Sequence, residues 1–496
     1  MGYLLVAACA SLAVWLWLTL GQGMFWRTDT RLPARHAPAR WPSVAIVVPA
    51  RDEAEVLPLS LPSLLAQDYP GEARIILVDD GSTDGTGALA RRLADAHPGL
   101  PLTVLSPGEP GPGWTGKLWA LRHGIGHARS GGGSGAHAGA RSGHDSATES
   151  EPQPAPGSGP HPGPHSRPGP HSPSDPGSVP ASCPDSSPAP LRLGGSTPHP
   201  APGSAPDSAP GFKPGPSPAP APGSAPDSTP GSRPVSSPVP APDYLLLTDA
   251  DIAHEPDSLR ELVCAATAAD LDLVSQMARL RAVSGWERLI VPAFVYFFAQ
   301  LYPFRWINRP GARTAAAAGG CVLLRTEAAV RAGIPESIRQ AVIDDVSLAR
   351  AVQRTGGRIW LGLAERVDSV RPYTSLADLW RMVSRSAYAQ LRHQPPLLAG
   401  TVAGLVLVYL VPPAALLAGL GAGRPAVAWA GGLAWLLMAG TYLPMLRYYR
   451  QPAGLAPLLP LTALLYLLMT VDSAVQHYRG RGAAWKGRTY ARPGDA

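Results

Sequence analysis

Two carboxylates separated by one residue close an apolar run, Tyr244-Leu245-Leu246-Leu247-Thr248-Asp249-Ala250-Asp251. A short apolar run bounded by polar residues has the pattern of a buried strand, and in open α/β sheets ligands bind beyond the carboxyl ends of the strands. Acids placed there can share a hard divalent cation, Mg2+ or Mn2+, whose remaining ligands are usually substrate phosphates. The competing reading is a polar strand end that caps the next helix, and on these residues alone the two balance. Two further acidic pairs sit at element ends: Asp79-Asp80 before Gly81-Ser82, and Asp344-Asp345 at the start of an amphipathic stretch. In isolation Asp-Gly-Ser is a turn, and acids in a first helical turn are favoured by the helix dipole alone.

The elements that must position these acids alternate in type. Val44 to Pro49 is a continuous apolar strand, and Glu53 to Ala66 carries Val56, Leu57, Leu61, Leu64 and Leu65 at helical spacing. Arg74 to Val78 is a second strand, followed by a helix from Asp84 past Leu93. Leu102 to Leu105 reads as a third strand and Lys117 to Ala128 as a third helix. This order predicts a parallel, right-handed α/β unit. Beyond Asp251, Pro256 to Ala268 reads as a helix, and Leu271 to Met277, Gly319 to Leu324 and Arg358 to Leu361 as strands.

Between the third helix and the Tyr244 strand the composition collapses into Gly, Ser, Pro, His and Asp. About half of the 58 prolines fall between Glu151 and Pro240, and APGSAPDSAPG at Ala201 recurs as APGSAPDSTPG at Ala221. So little apolar surface cannot build a core, and the repeat is low-complexity slippage rather than a solenoid. We expect residues 130–242 to be a disordered insertion in a surface loop, tolerated at little entropic cost. Without it the Lys117 helix leads directly into the Tyr244 strand.

Tyr3 to Leu20 is an uncharged apolar run of roughly bilayer-spanning length, with Trp15, Trp17 and Trp26 near one interface. A cleaved signal peptide is the competing reading, disfavoured because no basic segment precedes the run and no small-x-small site ends it. Arg27, Arg31, Arg35 and Arg40 follow, so the positive-inside rule places the next part in the cytoplasm. Leu397 to Leu420, Pro425 to Leu446 and Leu455 to Val475 are three more apolar stretches. Three full crossings would export the tail with Arg479, Arg481, Lys486 and Arg488, against the same rule. A cytoplasmic tail requires one stretch to be re-entrant or interfacial, with Val411-Pro412-Pro413 as the break. Trp286 to Phe304 is short for a span and is expected to lie at the interface, a buried core helix being the alternative. Ser375 to Arg392 has the spacing of a helix along the membrane. The net charge of +6 is modest, with arginines clustered beside apolar segments, which points to a membrane surface and not to nucleic acid. Cys9, Cys183, Cys264 and Cys321 lack the spacing of a zinc site or a disulfide framework and read as thiols. The expected layout is a membrane segment at 1–26, a cytoplasmic catalytic domain from 41–129 and 243–395, membrane segments at 396–478 and a basic tail at 479–496.

The stretches VVPARDEAEVLPLSLPSLLAQDYPG, ILVDDGSTDGT, GWTGKLWAL, YLLLTDADI, TAAAAGGCVLLR, IDDVSLARAV with GGRIWLGL, and WRMVSRSAYAQLR together resemble family 2 glycosyltransferases of GT-A fold. More closely they resemble the hopene-associated glycosyltransferases of hopanoid gene sets. The resemblance implies a Rossmann-like mixed sheet flanked by helices, with one N-terminal and about three C-terminal membrane segments. It also implies residue roles. Asp79 and Asp80 match positions that hold the nucleotide's base and ribose, with Pro49, Ala50, Arg51 and Glu53 lining the same pocket. Lys117 matches a position facing the diphosphate. Asp249 and Asp251 match the D-x-D motif, Asp251 as the direct ligand of Mg2+ or Mn2+ and Asp249 closer to sugar and ribose. Asp345 falls on the acid taken as the base that deprotonates the acceptor, with Asp344 in place of the usual Glu. Processive members carry Q-x-x-R-W where this chain has Met382-Val383-Ser384-Arg385-Ser386. The missing Gln and Trp argue against a polysaccharide synthase and leave Arg385 as a leaving-group contact.

The resulting expectation is an inverting, multi-pass transferase of the inner membrane, with its catalytic domain in the cytoplasm. It would move a sugar from a nucleotide-sugar, a UDP-sugar first, to a hopanoid or polyprenoid lipid hydroxyl. A polyprenyl-phosphate glycosyltransferase shares the whole catalytic set, and a non-catalytic membrane scaffold could keep the fold.

Overall fold

A computed structural model describes residues 2–33, 36–131 and 240–480, with backbone alone at 484–485 and 488–489. Residues 132–239 of the expected insertion, Arg35, Cys183 and the side chains of the basic tail beyond Gly480 lie outside the described residues. The chain runs α1 (Gly2–Leu20), β1 (Val44–Ala50), α2 (Leu57–Leu65), β2 (Ala73–Asp79), α3 (Thr86–Ala96), β3 (Leu102–Leu105), α4 (Gly116–Arg129), β4 (Tyr244–Thr248), β5 (Ile252–His254), α5 (Ser258–Ala268), β6 (Leu273–Arg279), α6 (Gly285–Leu301), α7 (Phe304–Ile307), β7 (Cys321–Arg325), α8 (Thr326–Arg331), α9 (Asp344–Arg354), β8 (Ile359–Ser369) and α10 (Leu376–Gln390). The apolar helices α11 (Pro395–Leu405), α12 (Val411–Gly421), α13 (Pro425–Tyr448) and α14 (Leu459–Tyr478) follow, and short strands β9 (Ala484–Trp485) and β10 (Arg488–Thr489) pair in the tail.

Eight strands form one sheet in the order β3-β2-β1-β4-β7-β6-β8-β5. The first four are parallel, as the alternating sequence predicts. β7 runs antiparallel to both β4 and β6, β6 is parallel to β8, and β5 is antiparallel to β8. This mixed sheet with helices on its faces is the expected GT-A arrangement. Every residue of β1 is buried, as the unbroken apolar run requires of a strand covered on both faces. The chain leaves β1 toward β2 and β3 and returns on its other side to β4, so the carboxyl ends of β1 and β4 flank a topological switch point, where open sheets bind ligands. Helix α4 lies close over this strand pair: a Cβ at Gly124 would stand 2.4 Å from Val47 Cγ1, a distance only glycine avoids.

Four helices are long and apolar enough to cross a membrane: Gly2–Leu20, Pro395–Gly421, Pro425–Tyr448 and Ala453–Tyr478. Where the sequence suggested a break, at Val411-Pro412-Pro413, the helix continues. A π-helical turn over Val406–Leu410 joins α11 to α12, and the prolines occupy the first turn of α12, where a missing N–H costs little. The Trp15 indole of α1 donates to Val408 O within that turn at 2.7 Å.

Helix α6 differs from the interfacial expectation. It starts at a capping box in which the Ser284 side chain accepts from Glu287 N–H at 3.2 Å and the Glu287 carboxylate accepts from Ser284 N–H at 2.7 Å. Its face of Ile290, Val291, Ala293, Val295, Tyr296 and Ala299 is buried. The Tyr296 hydroxyl meets Thr441 Oγ1 of α13 at 2.8 Å, and Tyr466 of α14 donates to Ile290 O at 3.2 Å. The length that is too short for a span is long enough to form a seat for the membrane helices. Helix α10 likewise packs on α14, with Trp380 Nε1 donating to Asp472 Oδ2 at 2.9 Å and Tyr388 N–H to Ser473 Oγ at 3.0 Å.

Candidate active site

The acids singled out by the sequence gather at the switch point. Asp249 and Asp251 follow β4, and Gly319 leads into β7, whose Cys321 pairs with Thr248. Thr248 is fixed by donating to Gly320 O at 2.8 Å and by the buried His254 ring at 3.0 Å, whose other nitrogen meets Ser258 Oγ at 3.0 Å. Burial lowers the His254 pKa to about 4, so the ring is a neutral spacer that sets the strand end ahead of Asp249.

Lys117, from the first turn of α4, reaches Asp249 Oδ1 at 2.8 Å and Asp344 Oδ2 at 3.1 Å. Burial opposes its charged form, but Asp249 and Asp344 outweigh that and hold the ammonium charged. Asp345, in the first turn of α9, accepts from Gly319 N–H at 3.0 Å and from Val346 N–H at 2.7 Å. Burial, then the neighbouring Asp344 charge, raises its pKa to about 7 despite these bonds and Lys117. Asp249 is also raised, by burial first. Asp249, Asp344, Asp345 and Lys117 line one cleft of about 420 Å³, together with Pro49 and Thr248.

On the other side of β1 the loops after β1 and β2 are laced together. Asp80 N–H donates to Ala50 O at 2.9 Å, Asp52 N–H to Ser82 Oγ at 3.0 Å, Thr83 N–H to Asp52 Oδ1 at 2.7 Å and Glu53 N–H to Thr86 Oγ1 at 2.9 Å. Arg51 donates to Gly81 O at 3.3 Å and also to Asp80 O, and its guanidinium lies 3.9 Å from the buried Asp80 carboxylate. Asp79 Oδ1 accepts from Ser82 N–H at 3.0 Å, the contact a bare Asp-Gly-Ser turn would make. Pro49, Ala50, Arg51, Glu53, Asp79 and Asp80 therefore share one edge of the switch point.

Arg371, just past β8, was not singled out by the sequence. Its Nε donates to Asp251 Oδ2 at 2.6 Å and its Nη2 to Glu53 Oε2, so one guanidinium ties the second acid of the D-x-D to the pocket edge. Asp251 and Glu53 raise its pKa against the effect of burial, so it stays charged. Two residues on, Tyr373 N–H donates to Glu287 Oε1 at 2.7 Å, which anchors this loop to the start of α6. The Tyr373 hydroxyl is raised to about 12 by burial first and then by Asp251, with Arg371, Arg385 and Asp249 also in electrostatic reach. Arg385 thus approaches the site from the exposed face of α10. The only signal for Arg371 in the sequence is an arginine at a strand's carboxyl end, with no motif around it.

The donor set suits a hard divalent cation: four aspartates, all oxygen ligands, face one lysine and one arginine that is shared with Glu53. Among the described residues no three His, Cys, Asp or Glu side chains form a ready cage. That fits an ion held by one or two carboxylates and completed by phosphates and water.

Fold and site define a nucleotide-sugar-type glycosyltransferase architecture, and solved structures resemble it distantly. A Pyrobaculum calidifontis mannosyltransferase, PcManGT, in complex with GDP-Man and Mn2+, is 17% identical over 96% of this chain and 99% of that one, with a TM-score of 0.49. Staphylococcus aureus TarS 1-349 with UDP-GlcNAc is 11% identical over 88% and 92%, with a TM-score of 0.31. Mycobacterium tuberculosis glucosyl-3-phosphoglycerate synthase is 14% identical over 69% and 76%, with a TM-score of 0.30. No curated protein sequence matches the chain. Residues 45–130 match glycosyl transferase family 2. Residues 239–494, just over half of the chain, match glycosyl transferase family 21, and the chain belongs to that family. The protein is a glycosyltransferase.

Proposed function

We propose that this enzyme moves a sugar from a nucleoside diphosphate donor, a UDP-sugar in first place, to the hydroxyl of a membrane lipid, with inversion at the anomeric carbon. The observation that carries this reading is that Asp345, Asp344, Lys117 and Asp249 line one cleft beside the 49–53 and 79–80 edge. Glu53, Asp79 and Asp80 accept hydrogen bonds from the base and ribose, while Pro49 and Ala50 supply the wall and Arg51 holds the loop. Lys117 offsets diphosphate charge from one side, and Arg385 reaches the leaving group from α10. Asp251, with Asp249 nearer to the sugar, would hold Mg2+ or Mn2+, which supplies charge neutralisation of the diphosphate leaving group. Asp345 takes the proton of the acceptor hydroxyl as that oxygen attacks the anomeric carbon. Asp344 and burial hold the Asp345 pKa near the working pH, where a base is both ionised and strong enough. One base without a second nucleophile gives single displacement, hence inversion.

A hopanoid or related polyprenoid acceptor rests on the sequence resemblance, and the four apolar helices support an acceptor drawn from the bilayer. The positive-inside reading puts the reaction at the cytoplasmic face of the inner membrane. The test is sugar release or transfer by the purified full chain in nanodiscs with Mn2+ and labelled nucleotide-sugars. Asp251→Asn and Asp345→Asn are each expected to lower turnover at least ~100-fold. Undiminished turnover in both variants would overturn the assignments.

A further inference from the structure

The cleft that holds the candidate base is walled almost entirely by apolar side chains behind its polar lip. Leu118 and Leu121 come from α4, Val322 from β7, Ile334 and Ile338 from the segment before α9, and Leu348 from α9 itself. At about 420 Å³ it falls in the size range of small-molecule sites. Its lip is Lys117, Asp249, Asp344 and Asp345, and the charge of that lip limits what can enter. Lys117 is the one cation among the lining residues, and Asp249 at 2.8 Å and Asp344 at 3.1 Å already hold it. Three carboxyl groups thus stand against one ammonium. A phosphate carried to Asp345 would meet an acidic lip with no spare positive charge, in a partly enclosed space where repulsion is poorly screened. It would also leave the apolar wall without a partner. A neutral alcohol meets no such penalty: its hydroxyl lies at the carboxylates and the carbon skeleton next to it covers the leucines and isoleucines.

Resting on the transferase reading above, we propose that this cleft is the acceptor site, that it takes the apolar end of a neutral lipid alcohol beside its hydroxyl, and that it rejects lipid phosphates. The two acceptor classes that share the catalytic set are thereby separated by the wall and the lip charge rather than by the catalytic residues.

The experiment uses membranes from cells that produce the full chain, incubated with radiolabelled UDP- and GDP-sugars. Extracted lipids are passed over an anion exchanger and then treated with mild acid. Labelled lipid that flows through and resists mild acid is the expected glycoside. Label that is retained and released by mild acid is a sugar phosphodiester, which overturns the proposal while leaving the transferase reading intact. No labelled lipid from any donor removes the transferase reading and this inference with it. Leu121→Trp and Ile338→Trp, which fill the wall, are expected to lower labelled lipid at least tenfold. UDP and GDP binding by calorimetry reports whether each variant is folded, and Leu121→Phe and Ile338→Phe carry the test if the tryptophans do not fold. Wild-type yield from folded wall variants overturns the assignment of the cleft.

Discussion

Asp345 sets the pH behaviour of the site. Burial and the adjacent Asp344 raise its pKa to about 7, so it is largely protonated below that value. A base must be ionised to act, so kcat/KM is expected to climb about tenfold per pH unit up to about pH 7 and then level off. Removing the like charge with Asp344→Asn should move that limb to lower pH, and a pH profile measured at saturating Mn2+ checks both. An unmoved limb would show that Asp344 does not act on the base. The sign for stability is opposite. A carboxyl whose folded pKa exceeds its unfolded value binds its proton more tightly when folded, so this group's contribution is full at low pH and declines as pH rises from about 4 through about 7. Arg371 belongs to the same scale. Its guanidinium joins Asp251 to Glu53, two acids 198 positions apart in sequence. No local pattern marks such a residue, because its partners are assembled by the sheet and not by neighbouring positions.

At the scale of elements, the placement of Lys117 depends on how closely α4 lies on β1. Gly124→Ala would bring a methyl carbon within 2.4 Å of Val47 Cγ1, lifting the helix or twisting the strand, and is expected to cost about 1–3 kcal/mol. Gly126 is in the same helix, but a Cβ there would meet nothing within 4 Å, so Gly126→Ala should be neutral or stabilising by less than about 1 kcal/mol. Chemical unfolding of the pair checks this, and equal effects would refute the close approach. The strands around that helix were legible because each is a bounded apolar run: Val44 to Pro49, Arg74 to Val78 and Leu102 to Leu105 appear as β1, β2 and β3 within one residue at each end. β5 was not legible, since three residues pairing only with β8 carry no period. β8 runs to Ser369 rather than Leu361 because Glu365 and Arg366 are exposed at the sheet edge, where polar residues are tolerated. For α6, composition alone does not distinguish an apolar face turned to lipid from one turned to other helices, and its partners lie more than 140 residues away. The acids of the site were legible because they terminate regular elements. Arg371, Tyr373 and His254 were not, because their meaning lies in what faces them.

At the scale of the molecule, catalytic and membrane parts share a core. Tyr296 of α6 stacks edge-on with both Phe25 and Tyr442, and Phe297 does the same with Tyr409 and Tyr466. A chain ended at His393 would bare the α6 face that these helices cover. It is expected to aggregate in detergent-free buffer, unlike a water-soluble catalytic domain, and size-exclusion chromatography distinguishes the two. A monodisperse truncated protein would show that the shared core is dispensable.

The pairing of β1 with β4, in the register Val44 with Tyr244, gives the chain a problem of timing. Thermodynamically the long excursion is cheap, since doubling a loop adds only about 0.6 kcal/mol. During synthesis it is not. β1, β2 and β3 can pair as they emerge, but the other edge of β1 must wait for about 190 more residues, roughly 10–40 seconds at ordinary elongation rates. For that interval a strand buried on both faces in the finished enzyme has one row of backbone groups unpaired. The most vulnerable moment of this protein's life falls before its catalytic acids have been translated.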